Sequence, residues 1–137
     1  MNMCKRVSVD LHIRYRDIDL MGHVNNAVFF TFFEDGRKKF LSSVCNIDNS
    51  GDHRYILAKI DCDFYKPLKM TDMVTLQLWV SDIGKKSFTM VYKIVDKNDI
   101  SIVYAKGNSV QVFFDYDKNI TVPIPNKFFE TISKYTE

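Results

Sequence analysis

The chain has 137 residues, a net charge of +2, 46% hydrophobic residues and 26% charged residues. That length fits one domain spanning 1–137, and the composition is that of an ordinary globular protein, which excludes disordered and fibrous classes. The small net charge and the lack of any dense Lys/Arg block argue against nucleic acid as a partner, while a few lysines can still hold a polyanionic small molecule.

From the N-terminus, Val7, Val9, Leu11, Ile13 and Tyr15 alternate with Ser8, Asp10, His12, Arg14 and Arg16. Period two predicts a strand with one wet face reaching Arg16. Met1 to Arg6 lacks the apolar core of a secretory leader. No segment approaches the roughly 18 uninterrupted apolar residues of a bilayer span. The expectation is a soluble, cytoplasmic protein with no membrane partner. Cys4, Cys45 and Cys62 form no CxxC pair and make an odd count, so reduced structural thiols are expected rather than a disulfide framework.

Asp17 to Asn26 is polar and turn-like, with Gly22 and two asparagines. Over Ala27 to Val44 the period changes: Phe29, Phe33, Gly36, Phe40 and Val44 mark one helical stripe, with Phe30 and Phe32 beside it. Asn25 or Asn26 suits the N-cap. The second half of this helix carries Arg37, Lys38 and Lys39, and the pairs Glu34–Lys38 and Asp35–Lys39 suit an exposed face. A helix apolar on most sides at one end must be wrapped, and in a short chain a curved sheet is the natural wrapper.

Strand patterns supply that sheet. Ala58, Ile60, Cys62 and Phe64 alternate with Lys59, Asp61, Asp63 and Tyr65; Val74, Leu76, Leu78 and Val80 alternate with Thr75, Gln77 and Trp79. Phe88, Met90, Tyr92 and Ile94 follow a turn at Ile83 to Lys86, and a last strand runs from Ile102 to Phe114 after the Asp96–Asp99 turn. Pro123 and Pro125 then break the chain before a terminal helix over Asn126 to Lys134. Consecutive strands with short joins favour antiparallel pairing. The expected class is α+β, with an antiparallel curved sheet of about five strands around a long central helix.

The stretch richest in chemistry runs from Arg14 to Phe30 and contains Asp17, Asp19, Gly22, His23, Asn25 and Asn26. It places two carboxylates, an imidazole and two amides in a loop that opens into a buried helix. The first-turn N–H groups of a helix carry partial positive charge and stabilise an oxygen on which negative charge develops. A carboxylate shortly upstream can face that oxygen as base or nucleophile. The combination suits hydrolysis of an activated acyl group.

The run D-x-D-x-x-G-H-V-N-N, followed by an aromatic helix with a Glu, resembles the acyl-CoA thioesterases of the 4-hydroxybenzoyl-CoA thioesterase-like hotdog superfamily. The strand before the motif, the helix length and the four later strands extend the likeness over most of the chain. The resemblance implies that Asp19 is the catalytic carboxylate and that a backbone N–H near Asn26 polarises the thioester carbonyl. It implies a dimer joined edge to edge, often paired again into a homotetramer, with active sites at the interface. It also implies no metal and no bound cofactor, coenzyme A arriving as part of the substrate. Two departures stand out: some relatives have His where this chain has Asn26, and His23 takes a position often apolar in the aryl-CoA members.

Each residue has a plainer role beside the functional one. Asp19 can brace its turn, and Asp17 fits a structural hydrogen bond to loop amides. His23 can act as base or donor, or pin the loop through its imidazole. Asn26 can cap the helix while its main-chain N–H meets the carbonyl. Glu34 can pair with Lys38 or orient a water. Lys85, Lys86 and Ser87 form a basic turn that is either solvated or, as in similar thioesterases, meets the nucleotide phosphates. His12 and His53 lie far from His23, and without HxxxH or HxxE spacing a metal site has little support.

The reading is a thioester hydrolase acting on acyl-CoA or on an acyl carrier protein thioester. The alternatives are a hydratase or dehydratase on the same fold, using Asp19 with His23, and a non-catalytic acyl-CoA-binding protein.

Overall fold

The computed structural model describes residues 5–44 and 55–136. Cys4, Cys45 and His53 lie outside the described residues. Six strands and two helices follow one another as β1 (Val7–Asp10), α1 (Asn26–Val44), β2 (Tyr55–Phe64), β3 (Val74–Ile83), β4 (Ser87–Asp96), β5 (Val103–Asp115), β6 (Ile120–Thr121) and α2 (Asn126–Ser133), with a 3-10 turn at Tyr15–Asp17 after β1. The sheet order is β1-β3-β4-β5-β2, all antiparallel, and β6 pairs with β5. The long helix lies across one face of this sheet, which is the hotdog arrangement. Among the described residues no helix is long and apolar enough to cross a membrane.

The face that meets α1 is identified by Gly107. A Cβ there would run into the Phe33 ring and the Asp61 carbonyl, so the absent side chain is what lets Phe33 press onto the sheet. Phe33 is fully buried and stacks on Tyr92, ring centroids 4.4 Å apart. Gly36 does the same one turn later, letting the helix backbone approach Leu76 and Leu78. Phe29, Phe32 and Phe40 complete the buried stripe. A second aromatic cluster of Tyr55, Phe88, Phe113 and Phe128 seats α2 at the other end of the sheet.

Several expectations need correction. The first strand ends at Asp10, not Arg16: Leu11 still donates to the Val74 carbonyl at 3.1 Å, and then the chain turns in. Asp17 holds the 3-10 turn that follows, its Oδ2 accepting the Arg14 N–H at 2.8 Å. Tyr15 consequently projects into solvent. The two-residue β6 was not anticipated; it returns on β5 through a turn in which Asn119 adopts φ 57°. Trp79, on the outer row of β3, is buried, and the Arg6 guanidinium lies over its ring at 3.8 Å. Of the two helical ion pairs, Glu34–Lys38 forms at 3.2 Å and Asp35–Lys39 does not.

Arg37 is the largest departure. Rather than sharing the exposed face with Lys38 and Lys39, it is only 7% exposed and donates to the Tyr92 hydroxyl at 3.1 Å. The wheel explains it: Arg37 lies one turn beyond Phe33 and on the same side, so it must follow Phe33 to the sheet.

Candidate active site

The loop before α1 is a small hairpin. The Asp19 N–H donates to the His23 carbonyl at 2.8 Å, and the Gly22 N–H donates to the Asp19 carbonyl at 3.1 Å. Gly22 has φ 80°, the left-handed conformation such a hairpin needs at its closing bulge and one that L side chains adopt only with strain. Asp19 also braces this turn: its Oδ1 accepts the N–H groups of Met21 at 2.8 Å and His23 at 3.2 Å. Among the described residues no hydrogen bond goes to Oδ2, so one carboxylate oxygen orients the group and the other is unbonded. Leu20 and Met21, at the hairpin tip, point into solvent.

Four bonds pin the loop and the start of α1. The Val24 N–H donates to the Leu68 carbonyl at 2.7 Å, and the Asn25 N–H to the Asp17 carbonyl at 2.8 Å. The Asn25 Oδ1 accepts the Ala27 N–H at 2.9 Å, which makes Asn25 the N-cap and Asn26 the first helical residue. The Val28 N–H turns back to the Asn25 carbonyl at 2.9 Å. Cap and turn thus occupy the N–H groups of Ala27 and Val28, whereas that of Asn26 has no partner among the described residues.

Between this loop, the start of α1 and the chain leaving β2 lies a cleft of about 220 Å³. Asp19, His23 and Asn26 line it, with Phe29 and Val24 behind them and Phe64, Tyr65, Lys66, Pro67 and Leu68 opposite. Phe29 and Phe64 meet edge to face at 5.0 Å, which gives the cleft an apolar floor. Asp19, His23 and Asn26 therefore share one cleft of mixed polar and apolar lining.

The other expected residues lie elsewhere. His23 lines the cleft, yet it braces the loop through its backbone; its imidazole makes no hydrogen bond among the described residues. Asp17 serves the turn, as read from sequence. Glu34 is exposed, paired with Lys38, and outside the cleft wall. Lys85, Lys86 and Ser87 sit at the β3–β4 hairpin, where Ser87 is opposite Val112 and Val112 is opposite Ile56. Phe64, on the cleft, is eight residues from Ile56, so the basic turn and the cleft are about 26 Å apart along the sheet. Within one chain they do not meet. Lys86 instead donates to Thr121 at 3.3 Å.

The segment Phe64–Leu68 was not foreseen as part of the site. It lies over forty residues from Asp19, and its only sequence signal is a proline closing a strand, which says where the strand ends but not what it faces. Among the described residues no group of three or more His, Cys, Asp or Glu is arranged to hold a metal ion.

Comparison with known proteins agrees with this architecture. Residues 13–132 match the family model of the thioesterase-like superfamily. A 1,4-dihydroxy-2-naphthoyl-CoA hydrolase of Crocosphaera subtropica is 26% identical over 105 residues, covering 73% of this chain and 76% of that protein. A crystal structure of a thioesterase complexed with coenzyme A and Zn from Thermus thermophilus superposes with a TM-score of 0.78 at 27% identity, covering 91% of this chain and 90% of that one. A predicted thioesterase from Bacillus stearothermophilus shares the fold with a TM-score of 0.86 at 22% identity, covering 97% and 98%. A model match over most of the chain, joined to a hotdog fold with the motif at the helix entrance, makes this protein a member of the thioesterase-like superfamily.

Proposed function

We propose that the protein hydrolyses acyl-CoA thioesters in the cleft between Asp19 and the start of α1. The observation that supports this reading is that one cleft is lined both by Asp19, a carboxylate with one oxygen unbonded among the described residues, and by Asn26, whose helix-start N–H has no partner among them. The thioester oxygen accepts the Asn26 N–H, which stabilises the negative charge that grows on it during addition. Asp19 acts on the carbonyl carbon by one of two routes. Its Oδ2 attacks and expels the thiolate, leaving a mixed anhydride for water to open, or it takes a proton from a water that attacks directly. Either route yields the free acid and the thiol, and neither calls for a bound cofactor or metal; coenzyme A enters with the substrate. The coenzyme A complex of the Thermus relative supports that carrier.

The site belongs to an oligomer in this reading. β2 is ten residues long, and its outer edge has no partner strand among the described residues. A bare edge of about 33 Å is normally paired or covered. An edge-to-edge homodimer through β2 covers it and gives Lys85, Lys86 and Ser87 a second chain's cleft to serve. The test is a thiol-release assay over short, long and aryl acyl-CoAs and an acyl carrier protein thioester. Release of free thiol supports the reading; loss of a double bond with the thioester intact indicates a hydratase instead, and binding without turnover across the panel overturns it.

A further inference from the structure

The outer edge of β2 carries a charge pattern that the single chain leaves unused. Ile60 is opposite Ser109, and Cys62 is opposite Gly107. Both of those β5 residues lie on the face that meets α1. Gly107 sits under the Phe33 ring, and Ser109 belongs to a buried relay in which the Arg37 guanidinium donates to the Tyr92 hydroxyl and that hydroxyl bonds the Ser109 Oγ at 2.6 Å. Alternation then puts Lys59, Asp61 and Asp63 on the opposite face. The Asp61 Oδ1 accepts the Asn108 N–H at 3.1 Å, and its Oδ2 has no hydrogen bond among the described residues. Lys59 and Asp63 have no ion-pair partner among them either. Leu57 and Phe64, two apolar side chains of the same strand, are 43% and 44% exposed. Apolar side chains and unpaired charges along a bare edge call for a covering strand.

A second copy of the chain fits this edge in one register. A twofold axis sets one β2 residue opposite its own copy, so the choices are discrete. Lys59 opposite itself brings two ammonium groups together, and Asp61 opposite itself brings two carboxylates together. Cys62 opposite itself sets Asp61 against Asp63 twice. Ile60 opposite itself sets Lys59 against Asp61 twice, and no like charges meet. The same register decides where the basic turn falls. The ladder with β5 skips Ala58, so Ile56 lies three steps from Ile60, counted through Lys59 and Leu57. The partner's Ile56 therefore comes level with Asp63, beside the cleft-lining Phe64. Ser87 is two strands in from Ile56, through Val112. The partner's Ser87 is then three strand spacings from β2, about 14 Å at about 4.8 Å each. Pantetheine has about thirteen bonds from thioester sulfur to first phosphate, about 16 Å at about 1.2 Å per bond. Within one chain the gap is about 26 Å; across this interface a coenzyme A thioester docked at Asn26 can bridge it.

We infer that Lys59 and Asp61 fix the register of a β2-to-β2 dimer by pairing reciprocally, and that this register carries the partner's Lys85, Lys86 and Ser87 to the nucleotide end of a coenzyme A thioester. This rests on the thioesterase reading above and adds to it the interface that completes the site. Neither Lys59 nor Asp61 lines the cleft. They are positioning residues, and their effect on turnover runs through the partner's basic turn.

The experiment measures dimer dissociation by analytical ultracentrifugation for the wild type, Lys59→Asp, Asp61→Lys and the double variant. Thiol release is followed from hexanoyl-CoA and from hexanoyl-N-acetylcysteamine, a thioester without the nucleotide. Either single variant sets like charges opposite each other twice and should raise the dissociation constant at least about tenfold. The double variant exchanges the two charges and should return to within about threefold of the wild type. Assayed below the dissociation constant of the single variants, the kcat/KM preference for hexanoyl-CoA over the short thioester should fall about tenfold in each of them and recover in the double variant. Single variants that dissociate like the wild type overturn the inference, as does a double variant no better than the singles. Ile60→Cys in a Cys4→Ser/Cys45→Ser/Cys62→Ser background tests the register even where a charge variant fails to fold. It should oxidise to a covalent dimer, whereas Asp61→Cys in the same background, its two copies offset along the strands, should not. The reverse pattern, or a monomeric wild type, refutes the register. Absence of thiol release from both substrates by a dimeric wild type refutes the thioesterase reading itself, a different result from an unchanged dissociation constant.

Discussion

Replacing Asp19 by Asn separates the proposed chemistry from scaffolding, because only one of the two oxygens of Asp19 is tied into the loop. Oδ1 accepts the Met21 and His23 N–H groups at 2.8 and 3.2 Å. An asparagine oxygen in the same place accepts both, so the hairpin closed by Gly22 persists and only the charge assistance is lost. That loss is worth about 1 kcal/mol on an exposed loop, or a drop of about 4 °C in melting temperature for a chain of this size. The second position now carries an amide that can neither attack nor accept a proton, so thiol release should fall by about two to four orders of magnitude. Circular dichroism, a thermal melt and a thiol-release assay on one preparation give all three quantities. Near-normal turnover with an unchanged melt would show that Asp19 only braces the turn, and the proposed mechanism would be wrong.

Three further outcomes are expected. Asn25→Ala removes the side-chain cap on the Ala27 N–H and should cost about 1 kcal/mol in a denaturant melt; turnover should fall too, because the helix start that presents the Asn26 N–H frays. Gly107→Ala places a methyl against Phe33 and the Asp61 carbonyl and should destabilise the fold by about 1–3 kcal/mol or more, and an unaltered melt would contradict the packing described. The Cys62 thiol is pushed up to about 12 by burial first and by Asp63 and Asp61 next, so the thiol form persists through neutral and mildly alkaline pH. In a Cys4→Ser/Cys45→Ser background its alkylation at pH 8 should be about a thousand-fold slower than that of a free thiol, and fast labelling would refute its placement.

The sequence was enough for much of this. The period change at the Asp17–Asn26 stretch separates strand from helix, the phenylalanine spacing marks the buried stripe, and four later alternations supply the sheet. These features are local, set by side-chain direction at periods of two and 3.6, so a single sequence displays them. The same holds for Asp17 as a turn residue and for Asp19 as the carboxylate beside the helix start, since both effects act within a few residues.

What the tertiary structure decided is everything that depends on which surfaces meet. It joined Asp19 to Phe64–Leu68 and held the Lys85–Ser87 turn about 26 Å from them, because antiparallel pairing puts opposite ends of β2 beside different turns. It drew Arg37 inward, although Lys38 and Lys39 beside it face water. Charge alone places an arginine outside; only the sheet beneath, with Tyr92 opposite and a relay ready to receive it, makes the inside the better place.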